Sequence, residues 1–191
     1  RLLAKVRHAN VVHVYDANLI DGRIGVWMEL IKGRTLANIV RTSGPLSADE
    51  ATIIGLDLCR ALAAVHSAGL VHGDVRRPNL LLGHSESGQV QAKLADVGLF
   101  TLLQEQSAAK STSDGVARDI AELGAVLYEL TTGRTKVEGP ALEFPTGFPD
   151  DLRTVIVRCL GLDPAKRFNN CAEVTEAPLE DLLLDGGEEV L

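Results

Sequence analysis

Apolar and polar positions along this chain follow two rhythms, and each change of rhythm marks an element. Between residues 11 and 31, β-branched and apolar residues crowd two runs, VVHVYDANLI and RIGVWMELI, separated by Asp21-Gly22. Both residues of an Asp-Gly pair accept the positive φ that a tight hairpin turn demands, so this stretch predicts two antiparallel strands. A short helix is expected from Thr35 to Arg41, followed by a loop at Ser43-Gly44-Pro45. Ser47 with Glu50 three positions on is a capping box, in which each side chain satisfies the other residue's backbone N–H and opens a long helix. Within that helix Ile54, Leu58, Ala61, Leu62 and Val65 fall on one stripe, and Ser67-Ala68-Gly69 stops it.

Three short β-type runs follow, LVH, LLL and VQAKLA, the last two separated by the turn-rich HSESGQ. This places VHGDVRRPN and ADVG in loops beside strands. The polar, aperiodic stretch from Gln104 to Asp114 is expected to be a mobile loop. Ile120, Leu123, Leu127 and Leu130 then line one face of a helix that ends at Thr132-Gly133, and its high apolar content predicts burial against other helices. Arg134 to Pro149 reads as loop. Two last helices are expected at DLRTVIVRCLG and CAEVTEAPLEDLLL, with Pro178 a kink or break in the second and a frayed acidic tail, DGGEEVL, after it. Leu2, Leu3 and Val6 read as the end of an amphipathic helix already under way, so the chain is expected to be a piece of a longer one.

Composition narrows the class. With 191 residues, 46% hydrophobic and 24% charged, the chain has the profile of an ordinary soluble globular protein of one large domain or one and a bit. A net charge of -7 is the wrong sign for neutralising phosphate backbones, so no nucleic-acid partner is expected. The most apolar window, ATIIGLDLCRALAAVHSAGL, is interrupted by Asp57, Arg60 and His66, and no transmembrane segment is expected. Cys59, Cys159 and Cys171 are odd in number and lack C-x-x-C spacing, which argues against zinc clusters and disulfides and for a reducing, cytoplasmic location. Cys59 and Cys159 lie on apolar helical faces and read as inert core thiols. His8, His13, His66 and His84 have no ligand spacing between them and are assigned no chemistry.

Two loops concentrate the hard polar residues: His72-Gly73-Asp74-Val75-Arg76-Arg77-Pro78-Asn79 and, seventeen positions after Asn79, Asp96-Val97-Gly98. Each follows an apolar β-like run. An amide and a carboxylate at the ends of adjacent strands, Asn79 and Asp96, are hard oxygen ligands suited to holding Mg²⁺ against a polyphosphate. Asp74 is then available as a base or orienting group for an attacking hydroxyl, and Arg76 as a cation for a transferring phosphoryl group.

These loops and their flanks resemble the eukaryotic-like protein kinases of the bacterial serine/threonine type. That family reads H-R-D-x-K-x-x-N and D-F-G where this chain reads H-G-D-V-R-R-P-N and D-V-G. RHANVVHVYD resembles the segment after the family's regulatory helix, and WMELIKGRTL its hinge. ARDIAELGAVLYELTTG is similar to its long buried helix, and CLGLDPAKRF to its closing element. The resemblance implies an α+β, protein-kinase-like fold, with a mostly helical large lobe and a remnant of the small-lobe antiparallel sheet. Residues 1–31 would be the end of the small lobe and the hinge, 32–184 the large lobe, and 185–191 an acidic tail.

It also implies roles. Asp74 would be the catalytic base, Arg76 would replace the phosphate-contacting lysine, and Asn79 and Asp96 would hold Mg²⁺. Met28 would be the gatekeeper, the backbones of Glu29 and Ile31 would bond the adenine of ATP, and Leu81 would pack beneath it. Asp119 would tie the buried helix to the catalytic loop, and His72 would pack with Leu3, Val14 and Val97. The implied activity is transfer of the ATP γ-phosphate to a serine or threonine of a protein substrate, as part of a signalling protein. Ser107, Ser111, Thr112 and Ser113 are candidate phosphorylation sites.

Several positions depart from the family pattern. Gly73 stands where arginine usually does, Arg76 where lysine does, and Val97 where phenylalanine does. The glycine-rich strand pair with its lysine is not in this sequence, so the chain alone is expected to be weak or inactive. Only twenty-three positions separate Asp96 from Asp119, without the family's A-P-E element. These departures support an alternative, a pseudokinase that binds and regulates without transferring phosphate. A minor alternative is a small-molecule kinase of the aminoglycoside or choline type, whose loop also often reads H-G-D.

Overall fold

The structure is a computed structural model that describes residues 6–21, 23–85, 88–97, 112–134 and 142–175. The expected hairpin is present as β1 (Val14–Ile20) and β2 (Arg23–Met28), antiparallel, running from Ile20 opposite Arg23 to Val14 opposite Met28. Asp21 takes the positive φ of 50° that the turn requires. A second antiparallel sheet has the order β3-β4-β5, from β3 (Arg34–Thr35), β4 (Leu80–His84) and β5 (Val90–Leu94). Residue 33 must be glycine for this sheet to form, because a Cβ there would lie 2.2 Å from the Leu82 carbonyl oxygen. The chain leading into β1 docks on β5. Val12 N–H donates to Leu94 O at 2.9 Å, Leu94 N–H to Asn10 O at 2.8 Å, and Asn10 Nδ2 to Ala92 O at 3.0 Å.

Five α-helices occur among the described residues: α1 (Leu36–Ser43), α2 (Ala48–Ser67), α3 (Thr112–Thr132), α4 (Asp150–Leu160) and α5 (Cys171–Val174). The capping box of α2 is formed, with Glu50 N–H on Ser47 Oγ at 3.2 Å and Ser47 N–H on Glu50 Oε2 at 2.8 Å. The predicted stripe of Ile54, Leu58, Ala61, Leu62 and Val65 is wholly buried. It meets Ile120, Leu123, Leu127 and Leu130 of α3, while Leu152, Val155, Ile156 and Cys159 of α4 close the other side. Shortening a fully buried leucine such as Leu58 or Leu127 to alanine costs about 2–5 kcal/mol. The α3–α4 contact is close because residue 124 is glycine: a Cβ there would stand 2.7 Å from Cys159 Cβ and 3.0 Å from the Leu160 nitrogen.

The fold class is as expected, helices with two small antiparallel sheets. Two local expectations are corrected. Residues 70–72 are not a strand, because the buried His72 spends its polar groups on side-chain and loop partners instead of a ladder. The loop expected to run to Asp114 ends sooner, since α3 already begins at Thr112 and carries Asp114 in its first turn, where a carboxylate favours the helix dipole. The remainder of that loop, including Ser107 and Ser111, lies outside the described residues, as do Leu2, Leu3, Gly98, Pro178 and the acidic tail. Among the described residues no helix is long and apolar enough to cross a membrane.

Candidate active site

The loop between α2 and β4 is held by its own backbone donors. His72, fully buried, has Nε2 2.8 Å from Ala95 O, and its Nδ1 accepts the Asp74 N–H at 3.2 Å. That pattern is the tautomer with its proton on Nε2. The His72 and Gly73 amides donate to the Asp119 carboxylate at 2.8 and 2.7 Å, as expected for the tie to the buried helix. Gly73 has φ 79°, a left-handed conformation that glycine adopts without strain. The Val75 N–H donates to Glu122 Oε2 at 2.7 Å.

The loop ends in a 3-10 turn, Arg77–Asn79, with Pro78 inside it. The turn aims Asn79 back at Asp74: its Nδ2 donates to both the carbonyl oxygen and Oδ2 of Asp74, each at 2.9 Å. With both donor contacts made by Nδ2, Oδ1 is the Asn79 atom left to a hard cation. Arg76 Nε lies 3.7 Å from Asp74 Oδ2, both side chains about half exposed, so the pair is screened and free to rearrange. Arg77 Nε meets Glu129 Oε2 at 2.6 Å with both side chains mostly covered. Burial pushes the Glu129 carboxyl above its ordinary value, against the opposing pull of Arg77.

The second loop is brought to the first through Ala95, whose N–H donates to Asn79 O at 2.8 Å while its carbonyl meets the His72 ring. Asp96 follows with φ 61°, a conformation uncommon outside glycine that aspartate tolerates. Asp74, Asn79 and Asp96 therefore sit on two loops joined by the Ala95–Asn79 bond. Asn and Asp oxygens suit Mg²⁺ when phosphate oxygens and water complete the shell. Among the described residues no three His, Cys, Asp or Glu side chains are grouped so as to hold a metal ion.

The nucleotide-side residues are only partly gathered. Glu29 donates its N–H to His13 O at 2.9 Å and pairs its carboxylate with Lys93 Nζ at 2.7 Å, so its carbonyl is the group left to a ligand. Glu29, Ile31, Gly83 and Lys93 line a cavity of about 820 Å³, whose lining does not include Met28, Leu81, Asp74, Asn79 or Asp96. Leu81 lies in β4 opposite Thr35 and Lys93, and Met28 ends β2, exposed.

The sequence reading missed four participants. His66, assigned no chemistry, holds Asp119 Oδ2 at 2.7 Å; Glu122 takes the Val75 amide; Arg77 and Glu129 brace the 3-10 turn. The only signal present was Glu122 lying three residues after Asp119 on the same helix. Cys171 Sγ lies 3.9 Å from His66 Nδ1, and burial, aided by Asp119, pushes its thiol up to about 12.

Serine/threonine-protein kinase PkaA of Streptomyces coelicolor is 31% identical over 195 residues, covering 87% of this chain and 36% of that protein. Serine/threonine-protein kinase PknB of Mycobacterium leprae is 27% identical over 206 residues, covering 90% of this chain and 33% of that protein. The chain thus spans about a third of the length of the curated relatives it matches. The protein kinase domain family matches residues 1–116, which include both loops. That match spans both loops, which the Ala95 N–H joins through the Asn79 carbonyl, and the chain belongs to the protein kinase domain family.

Proposed function

We propose that the protein transfers the γ-phosphoryl group of Mg·ATP to a serine or threonine hydroxyl of a protein substrate. The observation that carries this reading is the double contact of Asn79 Nδ2 to Asp74, which leaves the Asn79 Oδ1 acceptor for a cation and holds the Asp74 carboxylate beside it. Serine/threonine selectivity is supported by the relatives, which are serine/threonine-protein kinases.

In this reading Asn79 Oδ1 and the Asp96 carboxylate would hold Mg²⁺, which when bound would neutralise charge on the polyphosphate. Asp74 accepts the proton of the attacking hydroxyl. Arg76 leaves its exposed contact with Asp74 to meet the transferring phosphoryl group, a change cheap enough for a screened pair. Glu29 O and the Ile31 backbone bond the adenine edge, with Met28 and Leu81 flanking the ring. Residues 1–31 then serve as small-lobe end and hinge, and 32–184 as the large lobe.

Gly73 and Arg76 favour one second reading, a pseudokinase in which the loop is kept for binding alone. The discriminating measurement is phosphate transfer from Mg·ATP by the full-length protein, to itself and to a generic basic protein, beside Asp74→Asn. Transfer abolished in that variant supports the enzyme. A folded protein with no transfer to these acceptors supports the pseudokinase.

A further inference from the structure

We propose that Glu122 is a positioning residue for the loop that carries Asp74, acting with the Arg77–Glu129 pair two helical turns further along α3. This rests on the phosphoryl-transfer reading above.

The Asp74 side chain is 46% exposed, so beyond its contacts with Asn79 Nδ2 and Arg76 Nε its placement depends on the backbone on either side. On the N-terminal side the His72 and Gly73 amides are both spent on Asp119, and Asp74's own amide on the His72 ring. On the C-terminal side the next amide, Val75, is spent on Glu122 at 2.7 Å. Four consecutive amides thus have fixed acceptors, and α3 supplies three of them. Glu122 is itself oriented, because its other oxygen accepts from Arg118 Nε at 2.7 Å one turn earlier on the same helix.

Glu129 lies seven residues after Glu122, which returns it to nearly the same helix face. There it grips Arg77 Nε at 2.6 Å, with only 16% and 22% of the two side chains exposed, so this contact is less screened than a surface pair. Helix α3 therefore holds the loop before Asp74, immediately after it and again at its 3-10 turn. A base that must lie within a fraction of an ångström of a hydroxyl gains from this, since a displacement of about 1 Å can cost roughly 100-fold in rate.

The test compares Glu122→Ala and Glu122→Gln in the full-length protein by steady-state transfer kinetics and by hydrogen exchange at the Val75 amide. Glu122→Ala is expected to speed Val75 exchange and to lower kcat by about 10- to 100-fold with the KM for ATP nearly unchanged. Glu122→Gln keeps an acceptor oxygen and should recover most of both. Unchanged Val75 exchange in Glu122→Ala, or an activity loss that only tracks loss of folded protein, overturns the proposal. If the unaltered protein transfers no more phosphate than Asp74→Asn, it is the phosphoryl-transfer reading that fails. The exchange rates then still decide whether Glu122 holds the loop.

Discussion

His66 Nε2 lies 2.7 Å from Oδ2 of Asp119, the same oxygen that accepts the His72 amide at 2.8 Å. The last turn of α2, the body of α3 and the loop before Asp74 are therefore joined at one carboxylate, which is fully buried. A buried carboxylate is tolerated only when its lone pairs are used, and here three donors use them.

His66→Phe removes one of those donors and should destabilise the fold by about 1–3 kcal/mol. Asp119→Ala strands the two loop amides as well and should cost more. Urea unfolding of both variants checks the order; an Asp119→Ala midpoint no lower than that of His66→Phe would contradict the role assigned to the carboxylate.

Gly73 at φ 79° predicts a backbone cost for any side chain there. Gly73→Ala and Gly73→Arg should each lose about 1–2 kcal/mol, the second even though it restores the family's usual residue. Gly73→Asn, which tolerates the left-handed region, should lose less. Equal stabilities for Ala and Asn variants, read from thermal midpoints, would remove the conformational explanation.

His8 gives a pH dependence with a definite sign. Its Nδ1 accepts the Asn10 N–H at 3.1 Å, and burial, with Arg60 nearby, lowers its pKa below the ordinary 6.5. The folded state therefore resists protonation that the unfolded chain accepts. The His8 contribution is present above pH 6.5 and is lost as pH falls through the lowered value. Unfolding curves from pH 8 downward should show a stability loss below 6.5 that His8→Gln removes.

All three cysteines should resist thiol reagents in the native protein. Cys59, Cys159 and Cys171 are buried and unpaired to one another, and burial pushes Cys159 and Cys171 up to about 12 and raises Cys59 as well. Labelling at neutral pH is expected to be slow until denaturant is added, then to reach all three. Fast native labelling at any of them would show that the α2–α4–α5 packing opens.

The elements legible in the sequence were those whose causes lie within a few residues. The Asp21 turn, the Ser47–Glu50 box and the stripe from Ile54 to Val65 each depend on contacts one helical or hairpin turn apart, so pattern and structure agree. The exceptions have the opposite character. Residues 70–72 have strand-like composition, but tertiary demand on the His72 amide and ring overrode it.

The site divides in the same way. Asp74, Asn79 and Asp96 were candidates by residue type and loop position, with roles given by the family resemblance, and a short turn fixes the Asn79–Asp74 contact. What holds them could not be named that way. His66 reaches Asp119 across 53 positions and Val75 reaches Glu122 across 47, distances over which no local propensity acts. Likewise Arg77 finds Glu129 only once α3 has packed against α2 and turned its carboxylates toward the loop. The sequence by itself determined the chemical groups and the short-range turns that present them. Their support was decided by the packing of distant helices, because a buried polar group takes whichever partner the close-packed core brings within 3 Å.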